Sequence, residues 1–218
     1  MNKVVLVTGA TKRIGLAIAD RLEQEGWLVA RHGHTTGEFQ ADLAQVSQIE
    51  ALFTRVLERY GRLDALVNNA ARFTKFDPLD ITEADWDHIH SVNLKGVFFC
   101  CQQAAKRMPD GGRIVNLSSL GGLRPWADHA HYCASKAGVI MLTKALAKAW
   151  APRITVNSVA PGVIPFGSSD ARIERLIEQV PAGRGGEGDE VARAVSFFLT
   201  APDYITGQIL SVAGGLGL

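Results

Sequence analysis

Short apolar runs alternate along the chain with stretches in which apolar residues recur every three or four positions. A continuous apolar run predicts a strand covered on both faces, and the longer period predicts a helix. The predicted strands are residues 4–7, 28–30, 65–67, 114–117, 154–159 and 208–212. The predicted helices are residues 14–22, 46–60, 82–108, 134–150 and 190–199. Because strands alternating with helices build parallel sheets, we expect an α/β fold with one doubly wound sheet and helices on both faces.

One connection in this pattern is unusually short. The second strand ends near Gly33, and Asp42 follows after only a few residues. A crossover between neighbouring parallel strands normally takes a dozen or more residues and usually contains a helix. We therefore predict that the crossover helix between strands 2 and 3 is shortened or absent. If residues 38–41 pair as a parallel edge strand, they do so through the bare loop of residues 34–37.

Length and composition limit the class of protein. The 218 residues are about one and a half times the ~150-residue prior for a domain, so we expect a single domain over residues 1–218. The 23 basic residues nearly balance the 22 acidic ones, whereas binding to nucleic acid or a membrane surface needs clustered positive charge. We expect neither as a partner. The 47% apolar content suits a large core and excludes a disordered chain.

The cysteines and the first residues bear on the compartment. Cys100, Cys101 and Cys133 are odd in number and lack C-x-x-C spacing, which argues against a disulfide framework and a zinc ribbon. The first apolar run ends at Thr8, short of the about 7–15 residues of a signal-peptide core. No stretch approaches the ~18 apolar residues of a membrane span. We expect a cytoplasmic protein.

A turn with two glycines follows the first strand. Residues 8–15 have the sequence TGATKRIG and lead directly into the first helix. Gly9 permits a tight turn, and Gly15 lets the helix pack closely, so that the first N–H groups of the helix favour a phosphate. Arg13 stands where the usual dinucleotide fingerprint has its middle glycine. Glycine in such a turn also serves packing alone, and this alternative stays open here.

The residues after the second strand indicate which dinucleotide is bound. A carboxylate at this point binds the ribose 2′-OH of NAD, whereas basic residues accept the 2′-phosphate of NADP. Residues 31–36 have the sequence RHGHTT, without an acid, and Lys12 and Arg13 add positive charge. We predict NADP(H) as the cofactor, with His32 or His34 near the 2′-phosphate. The alternative is that these are solvated loop residues.

A tyrosine and a lysine four positions apart point to proton transfer. Tyr132 and Lys136 lie on one face if their segment is helical. A phenol has a pKa of about 10, and a nearby cation lowers that pKa by stabilising the phenolate. Tyr132 would then donate a proton to a carbonyl during hydride transfer. Ser118 and Ser119 close a strand at the carboxyl edge of the sheet, where α/β sites form.

Further motifs accompany these in a fixed order. They are NNAA at residues 68–71, VNLKG at 92–96, IVNLSS at 114–119, VNSVAPG at 156–162 and ITGQ at 205–208. With this set the chain resembles the short-chain dehydrogenase/reductase family over nearly its whole length. The resemblance implies one Rossmann-type dinucleotide-binding oxidoreductase domain, with a short substrate loop at about residues 163–182.

The resemblance also implies residue roles. Tyr132 would be the acid/base, and Ser119 would position the substrate oxygen. Lys136 would bind ribose and lower the tyrosine pKa, and Asn93 would hold a water that connects Lys136 to bulk solvent. The implied cofactor contacts are Gly9, Lys12, Arg13, Ile14, Gly15, His32, His34, Asp42, Leu43, Asn69, Ala70, Tyr132, Lys136, Pro161, Gly162 and Ile164.

Within the cofactor set, Asp42 and Leu43 would flank the adenine, and Asn69 would touch the adenosine ribose. Several other details resemble the pteridine reductase branch of the family. Arg13 is typical of that branch, and Phe73 falls where a phenylalanine stacks on the pterin. An aromatic face and a guanidinium suit a flat heterocycle, although loop packing is the alternative for Phe73. The predicted substrate contacts are Phe73, Ser119, Tyr132 and Phe166.

The chain departs from the family pattern at three positions. Ser119 stands where the pteridine reductase branch usually has an aspartate, so we expect a different proton relay. Phe166 replaces a threonine that in many relatives contacts the nicotinamide carboxamide, so backbone groups would take over that contact. Ala213 replaces an aspartate, and we expect altered packing near the C-terminal end.

The sequence supports two classes of function. The first is an NADPH-dependent oxidoreductase that transfers hydride to a C=O or C=N group of a small molecule. That molecule is a pteridine-like heterocycle or, alternatively, a 3-oxoacyl compound or another ketone. The second class is a catalytically silent NADP-binding regulator. The joint presence of Asn93, Ser119, Tyr132 and Lys136 favours the enzyme, because a regulator needs no proton donor.

Two further predictions concern metals and oligomers. Three H-x-H pairs occur, but no acidic or cysteine cluster accompanies any of them, so we expect no metal site. The helices at residues 82–108 and after Tyr132 carry small and apolar residues on more than one face. Left-over apolar surface of this kind predicts a homo-oligomer, a tetramer or a dimer.

Overall fold

The computed structural model describes residues 2–167 and 171–217. Within these residues, seven parallel strands form one sheet in the order β3-β2-β1-β4-β5-β6-β7. The strands are β1 (Val4–Val7), β2 (Leu28–Gly33), β3 (Phe39–Gln40), β4 (Ala65–Asn68), β5 (Gly112–Leu117), β6 (Ile154–Pro161) and β7 (Ile209–Val212). The predicted doubly wound parallel sheet is confirmed.

Helices cover both faces of the sheet. They are α1 (Arg13–Gln24), α2 (Val46–Tyr60), α3 (Glu83–His90), α4 (Val97–Ala105), α5 (Ala130–Trp150), α6 (Ala171–Glu178) and α7 (Gly188–Thr200). Successive strand residues point to opposite faces, so Val4 of β1 packs in the core with α2, α4 and α5. Val5 packs in the opposite core with α1 and α7. Among the described helices, none is long and apolar enough to span a membrane.

The connection between β2 and β3 contains no helix. Residues 34–38, all of which the structure describes, form bends, and His32 and Gly33 pair in parallel with Phe39 and Gln40. The loop is tight, because a side chain at Gly33 would collide with the carbonyl of Thr36. The predicted loss of the crossover helix is therefore confirmed.

An ion cluster lies beside the missing helix. Right-handed crossovers from β1 to β2 and from β2 to β3 would place both helices on the same face of the sheet. On that face, the Arg31 side chain of β2 reaches α1, where it contacts Asp20 at 2.6 Å and Glu23 at 2.8 Å. Charged groups thus cover sheet surface that a helix would otherwise bury.

Two helical segments differ from the prediction. The helix expected over residues 82–108 is divided into α3 and α4 by a π-helical turn, Ser91–Gly96. Hydrophobic spacing does not reveal such a turn, because one extra residue per turn barely changes the pattern. The helix α6 was not predicted, although Ile173, Leu176 and Ile177 recur at helical spacing, and Ala171–Glu178 buries no side chain.

Candidate active site

The carboxyl ends of the strands meet along one edge of the sheet, where α/β proteins bind ligands. A cleft of 790 Å³ runs along this edge. The predicted site residues that line it are Gly9, Lys12, Arg13, Ile14, Gly15, His32, His34, Asp42, Leu43, Asn69, Ala70, Phe73, Tyr132 and Phe166. Residues of the glycine turn, of the β2–β3 loop and of α5 thus face one continuous space.

The glycine turn after β1 needs its two glycines. Gly9 has a φ of 65°, a left-handed conformation that costs an L side chain energy. A side chain at Gly15 would collide with the carbonyl of Gly9. Arg13 is also left-handed, with a φ of 53°, at the position where the dinucleotide fingerprint has a glycine. The backbone of the turn therefore keeps the geometry of the fingerprint although one glycine is replaced.

The Asn69 side chain stabilises this turn by hydrogen bonds. Its amide nitrogen donates to the carbonyls of Thr8 at 2.9 Å and Gly9 at 3.0 Å. The Thr8 hydroxyl in turn accepts from the backbone N–H groups of Asn69 and Ala70. Both amide hydrogens of Asn69 are thereby engaged within the turn, which is a role the sequence did not suggest. Its contact with the adenosine ribose stays a prediction.

The end of the cleft beside the β2–β3 loop, where the adenosine is predicted to bind, is polar and partly cationic. His34 lies exposed on the β2–β3 loop, beside Thr35 and Thr36, which line the cleft and were not predicted. Lys12 approaches from the glycine turn. Asp42 lies on the far side, 3.8 Å from the guanidinium of Arg72, another lining residue that was not predicted.

His32 differs from His34 in its surroundings. It is 2% exposed, and both of its ring nitrogens have protein partners, the N–H of Gly9 and the carbonyl of Ala41. The side chain thus lies beneath the glycine turn, instead of extending from the loop toward a phosphate. Among the described residues, no group of three His, Cys, Asp or Glu side chains could hold a metal.

The candidate catalytic side chains are buried next to one another. Ser119 follows β5, and Tyr132 and Lys136 project from the first half of α5. The Lys136 ammonium donates to the carbonyl of Leu117 at 2.8 Å and lies 5.9 Å from the centre of the Tyr132 ring. The Ser119 side chain lies close enough to Tyr132 to lower the pKa of its hydroxyl. A hydroxyl, a phenol and an ammonium group are therefore brought together.

Burial controls the protonation of this group. It raises the pKa of Tyr132 to about 12, although the Ser119 side chain opposes the shift. It lowers the pKa of Lys136 to about 8. The sequence led us to expect a lowered tyrosine pKa, but loss of hydration raises it instead. At neutral pH the phenol is protonated, which is the form that donates a proton.

Asn93 lies in the π-helical turn and is fully buried. Its amide accepts from the N–H of Arg72 at 2.8 Å and donates to the carbonyl of Arg72 at 2.9 Å. Its second hydrogen goes to the Ser135 hydroxyl at 3.2 Å, which donates to the carbonyl of Tyr132. Asn93 thus connects the segment after β4 to the start of α5. The water that the resemblance assigns to it stays a prediction.

Aromatic side chains form a wall beside Tyr132. Phe73 is 58% exposed, and its ring meets the Tyr132 ring edge to face with centroids 4.8 Å apart. Phe73 also stacks on the His129 ring, with centroids 4.8 Å apart. Trp126 lies parallel to the Tyr132 ring at 6.1 Å. A substrate that reaches Tyr132 would therefore lie against aromatic rings.

The end of β6 contributes less to the cleft than predicted. Of the described residues there, Phe166 lines the cleft, whereas Pro161, Gly162 and Ile164 do not. Phe166 has a φ of 49°, and the Arg13 guanidinium lies 5.9 Å from its ring.

Close packing explains the position of Gly162. Its N–H donates to the carbonyl of Val212, and a side chain at Gly162 would collide with Ala213. A cavity of 60 Å³ adjoins Ala213, and the altered packing expected there stays a prediction.

Comparisons with known proteins agree with this geometry. A family model described as Enoyl-(Acyl carrier protein) reductase matches residues 9–217. The 3-oxoacyl-(acyl-carrier-protein) reductase FabG of Staphylococcus aureus is 38% identical over 242 residues, which cover 99% of this chain and 98% of that protein. The 2-dehydro-3-deoxy-D-gluconate 5-dehydrogenase of Escherichia coli is 32% identical, with 98% and 95% covered.

Solved structures give the same result. A short-chain dehydrogenase/reductase from Serratia marcescens matches with a TM-score of 0.94 and 33% identity over 99% of this chain and 98% of that one. An actinorhodin polyketide ketoreductase variant with NADPH matches with a TM-score of 0.91 and 35% identity, with 99% and 97% covered. The chain belongs to the short-chain dehydrogenase/reductase family, and it is an oxidoreductase of that type. The likeness to the pteridine reductase branch stays a prediction.

Proposed function

We propose that this protein is an NADPH-dependent reductase that transfers hydride to the carbonyl carbon of a small molecule, with Tyr132 as the proton donor. One observation carries the proposal. The protonated phenol of Tyr132 lines the same cleft as the glycine turn, and it is flanked by Ser119 and Lys136. A cofactor-binding regulator would not need a buried acid at this point.

The residues of the cleft fit NADP(H). Gly9 and Gly15 leave room at the turn that side chains would fill, so a phosphate can approach the backbone. Lys12, Arg13 and His34 line the cleft where a 2′-phosphate needs basic partners. The NADPH-bound ketoreductase that resembles this chain supports the same choice. All three cysteines are free, as expected in a reducing cytoplasm, where we place this activity.

The side chains define a proton path for the reaction. When bound, NADPH supplies the hydride that reduces the carbonyl carbon. Ser119 orients the substrate oxygen by a hydrogen bond, and the Tyr132 hydroxyl gives its proton to that oxygen as negative charge develops. The product is an alcohol, and the phenolate left on Tyr132 regains a proton from solvent. The Lys136 ammonium stabilises the phenolate meanwhile.

The relatives favour a ketone substrate. The FabG proteins at 38% identity are named as 3-oxoacyl reductases, and the structural relative with NADPH is a polyketide ketoreductase. This supports the 3-oxoacyl or ketone alternative over the pteridine-like substrate that the sequence details favoured. The pteridine remains the second candidate, because the exposed ring of Phe73 beside Tyr132 offers a stacking surface to a flat heterocycle.

The proton donor is tested by Tyr132→Phe, which removes one hydroxyl. We expect kcat for carbonyl reduction to fall by about 10²- to 10⁴-fold, the usual contribution of a positioned acid. NADPH binding should persist. The matched control is Tyr204→Phe, because Tyr204 is 100% exposed, and it should leave kcat unchanged. Equal rates for Tyr132→Phe and wild type would contradict the proposal, and NADPH binding without turnover of any substrate would indicate the regulator.

The substrate class is tested with a panel of 3-oxoacyl thioesters, simple ketones and dihydropteridines. We expect kcat/KM to be highest for a 3-oxo compound. Phe73→Ala separates the two candidates, because loss of a stacking surface lowers kcat/KM for a flat heterocycle far more than for an aliphatic ketone. Turnover of dihydropteridines alone, sensitive to Phe73→Ala, would establish the second candidate instead.

A further inference from the structure

His32 makes an unusual connection between two parts of the cleft. It is the penultimate residue of β2. Its backbone carbonyl accepts from the N–H of Ala10 at 2.8 Å, and its ring nitrogen Nδ1 accepts from the N–H of Gly9 at 3.1 Å. The other ring nitrogen, Nε2, lies 3.0 Å from the carbonyl of Ala41. The side chain therefore joins the glycine turn to the end of β3.

These partners fix the chemical form of the ring. A backbone N–H can only donate, so Nδ1 accepts, and a carbonyl can only accept, so Nε2 carries the hydrogen. Burial lowers the pKa of His32 against the opposing hydrogen bond to Ala41, and His34 and the Arg55 guanidinium of α2 act in the same direction as burial. The ring is therefore neutral, and its single N–H is already used within the protein.

The segment that the ring holds is packed as well as hydrogen-bonded, because Phe39, Ala41 and Leu43 are buried in the core formed with α2 and α4. β3 has two residues and follows the bare loop of residues 34–38. Ala41 comes directly after β3, and the next two residues, Asp42 and Leu43, line the end of the cleft where the adenosine is predicted to bind. In a sheet with a full crossover, a packed helix would fix the position of this strand. Here that role is shared by core packing of Phe39, by the Arg55 guanidinium that donates to the carbonyl of Gln40, by the hydrogen bond from the N–H of Ala41 to the carbonyl of Gly33, and by the His32 ring.

We propose that His32 is a positioning residue. It holds the glycine turn and residues 41–43, the segment predicted to flank the adenine, at a fixed separation, in place of the missing crossover helix. This inference rests on the proposed NADPH-dependent function. It assigns to His32 an indirect effect on the cofactor, whereas His34 and Lys12 are left to contact the 2′-phosphate. The two roles have different consequences for cofactor selectivity, which makes them separable.

The test compares binding of NADPH and NADH to wild type, His32→Leu and His32→Gln by fluorescence titration. Loss of a buried hydrogen-bonded link should weaken both cofactors by about tenfold and by the same factor. The ratio of the two affinities should not change, and kcat at saturating NADPH should stay within about twofold. His32→Gln, which can donate and accept, should restore part of the affinity.

Two control variants define the alternatives. Lys12→Ala removes a predicted phosphate contact and should weaken NADPH but not NADH. His88→Leu changes an exposed histidine on α3 and should affect neither. Selective weakening of NADPH by His32→Leu would show that His32 contacts the phosphate and would overturn the inference. Unchanged affinity for both cofactors would overturn it as well.

A second measurement does not depend on a folded variant or on the cofactor. The imidazole ¹⁵N shifts of wild-type His32 should show the neutral form with hydrogen on Nε2 at neutral pH. A charged ring, or hydrogen on Nδ1, would contradict the proposed link. If wild type bound neither nucleotide, the proposed function would fail while the ¹⁵N result still decided the geometry around His32.

Discussion

At the scale of single residues, burial has opposite effects on the two ionisable side chains of the candidate catalytic group. It keeps the phenol of Tyr132 protonated, with a pKa of about 12, and it brings the pKa of Lys136 down to about 8. The proposed proton donor is therefore protonated over the whole neutral range. The ammonium of Lys136, which would stabilise the phenolate, is the group that changes charge near pH 8.

This difference predicts the pH dependence of the reduction. As the pH rises through about 8, Lys136 loses its proton, so kcat at saturating NADPH should fall toward about pH 10. Lys136→Arg, whose guanidinium stays charged, should remove the fall, and Lys136→Met should be slow at every pH. A wild-type kcat that stayed level through about pH 9 would contradict the assignment.

Residue types were easier to predict than their partners. The sequence indicated Tyr132, Lys136 and the glycines, because these types are required by proton transfer and by the turn. It did not show that Asn69 donates to the turn or that His32 lies beneath it, because both depend on how distant strands meet. The sequence interpretation predicted a lowered pKa for Tyr132, whereas the structure raises it, because burial cannot be deduced from spacing alone.

At the scale of elements, the missing crossover helix was predictable because the length of a connection limits what it can contain. What replaces the helix was not predictable. Arg31 reaches from β2 to Asp20 and Glu23 on α1, and these acids raise the pKa of the guanidinium. The cluster gives a charged surface to a part of the sheet that a helix normally shields from water.

This cluster should stabilise the fold measurably. Arg31→Ala should lower the free energy of unfolding by about 1 kcal/mol, because one guanidinium serves two carboxylates. The control is Arg59→Ala, which breaks a more exposed pair with Glu38 at 3.5 Å and should cost much less. Urea unfolding provides the measurement. The loss of unfolding free energy caused by Arg31→Ala should shrink in about 1 M salt, because salt screens the ion pairs. Equal effects of both variants would show that the cluster does not act as a unit.

At the scale of the whole molecule, the order of apolar runs was sufficient to predict the sheet, because each parallel strand needs a covering element on both faces. The assembly was predicted from the same pattern and remains a prediction. The outer face of α5 presents Ala134, Ala137 and Ala145 around Met141, which is 64% exposed. Beside it, Leu94, Phe98 and Leu142 line a cavity of 630 Å³. Small and apolar residues at helical spacing suit packing against a second copy.

The assembly is tested by Met141→Glu. A charge at this exposed position should not disturb the monomer, but it would be buried between copies, so the mass in light scattering should fall toward the 23.5 kDa of one chain. The control is Leu79→Glu, because Leu79 is 94% exposed in the loop before α3, and this variant should keep the wild-type mass. A wild-type protein that is already monomeric would refute the predicted homo-oligomer.

The short strand β3 also affects the behaviour of the protein toward other polypeptides. Unpaired backbone groups on a sheet edge can template strand addition and aggregation. Here the outer edge is formed by the two residues Phe39 and Gln40, and the guanidinium of Arg55 donates to the carbonyl of Gln40 at 2.5 Å. The edge strand is thus short, and one of its backbone carbonyls already accepts a hydrogen bond from a charged side chain. The shortness of β3 therefore also limits the pairing of foreign strands at this edge of the sheet.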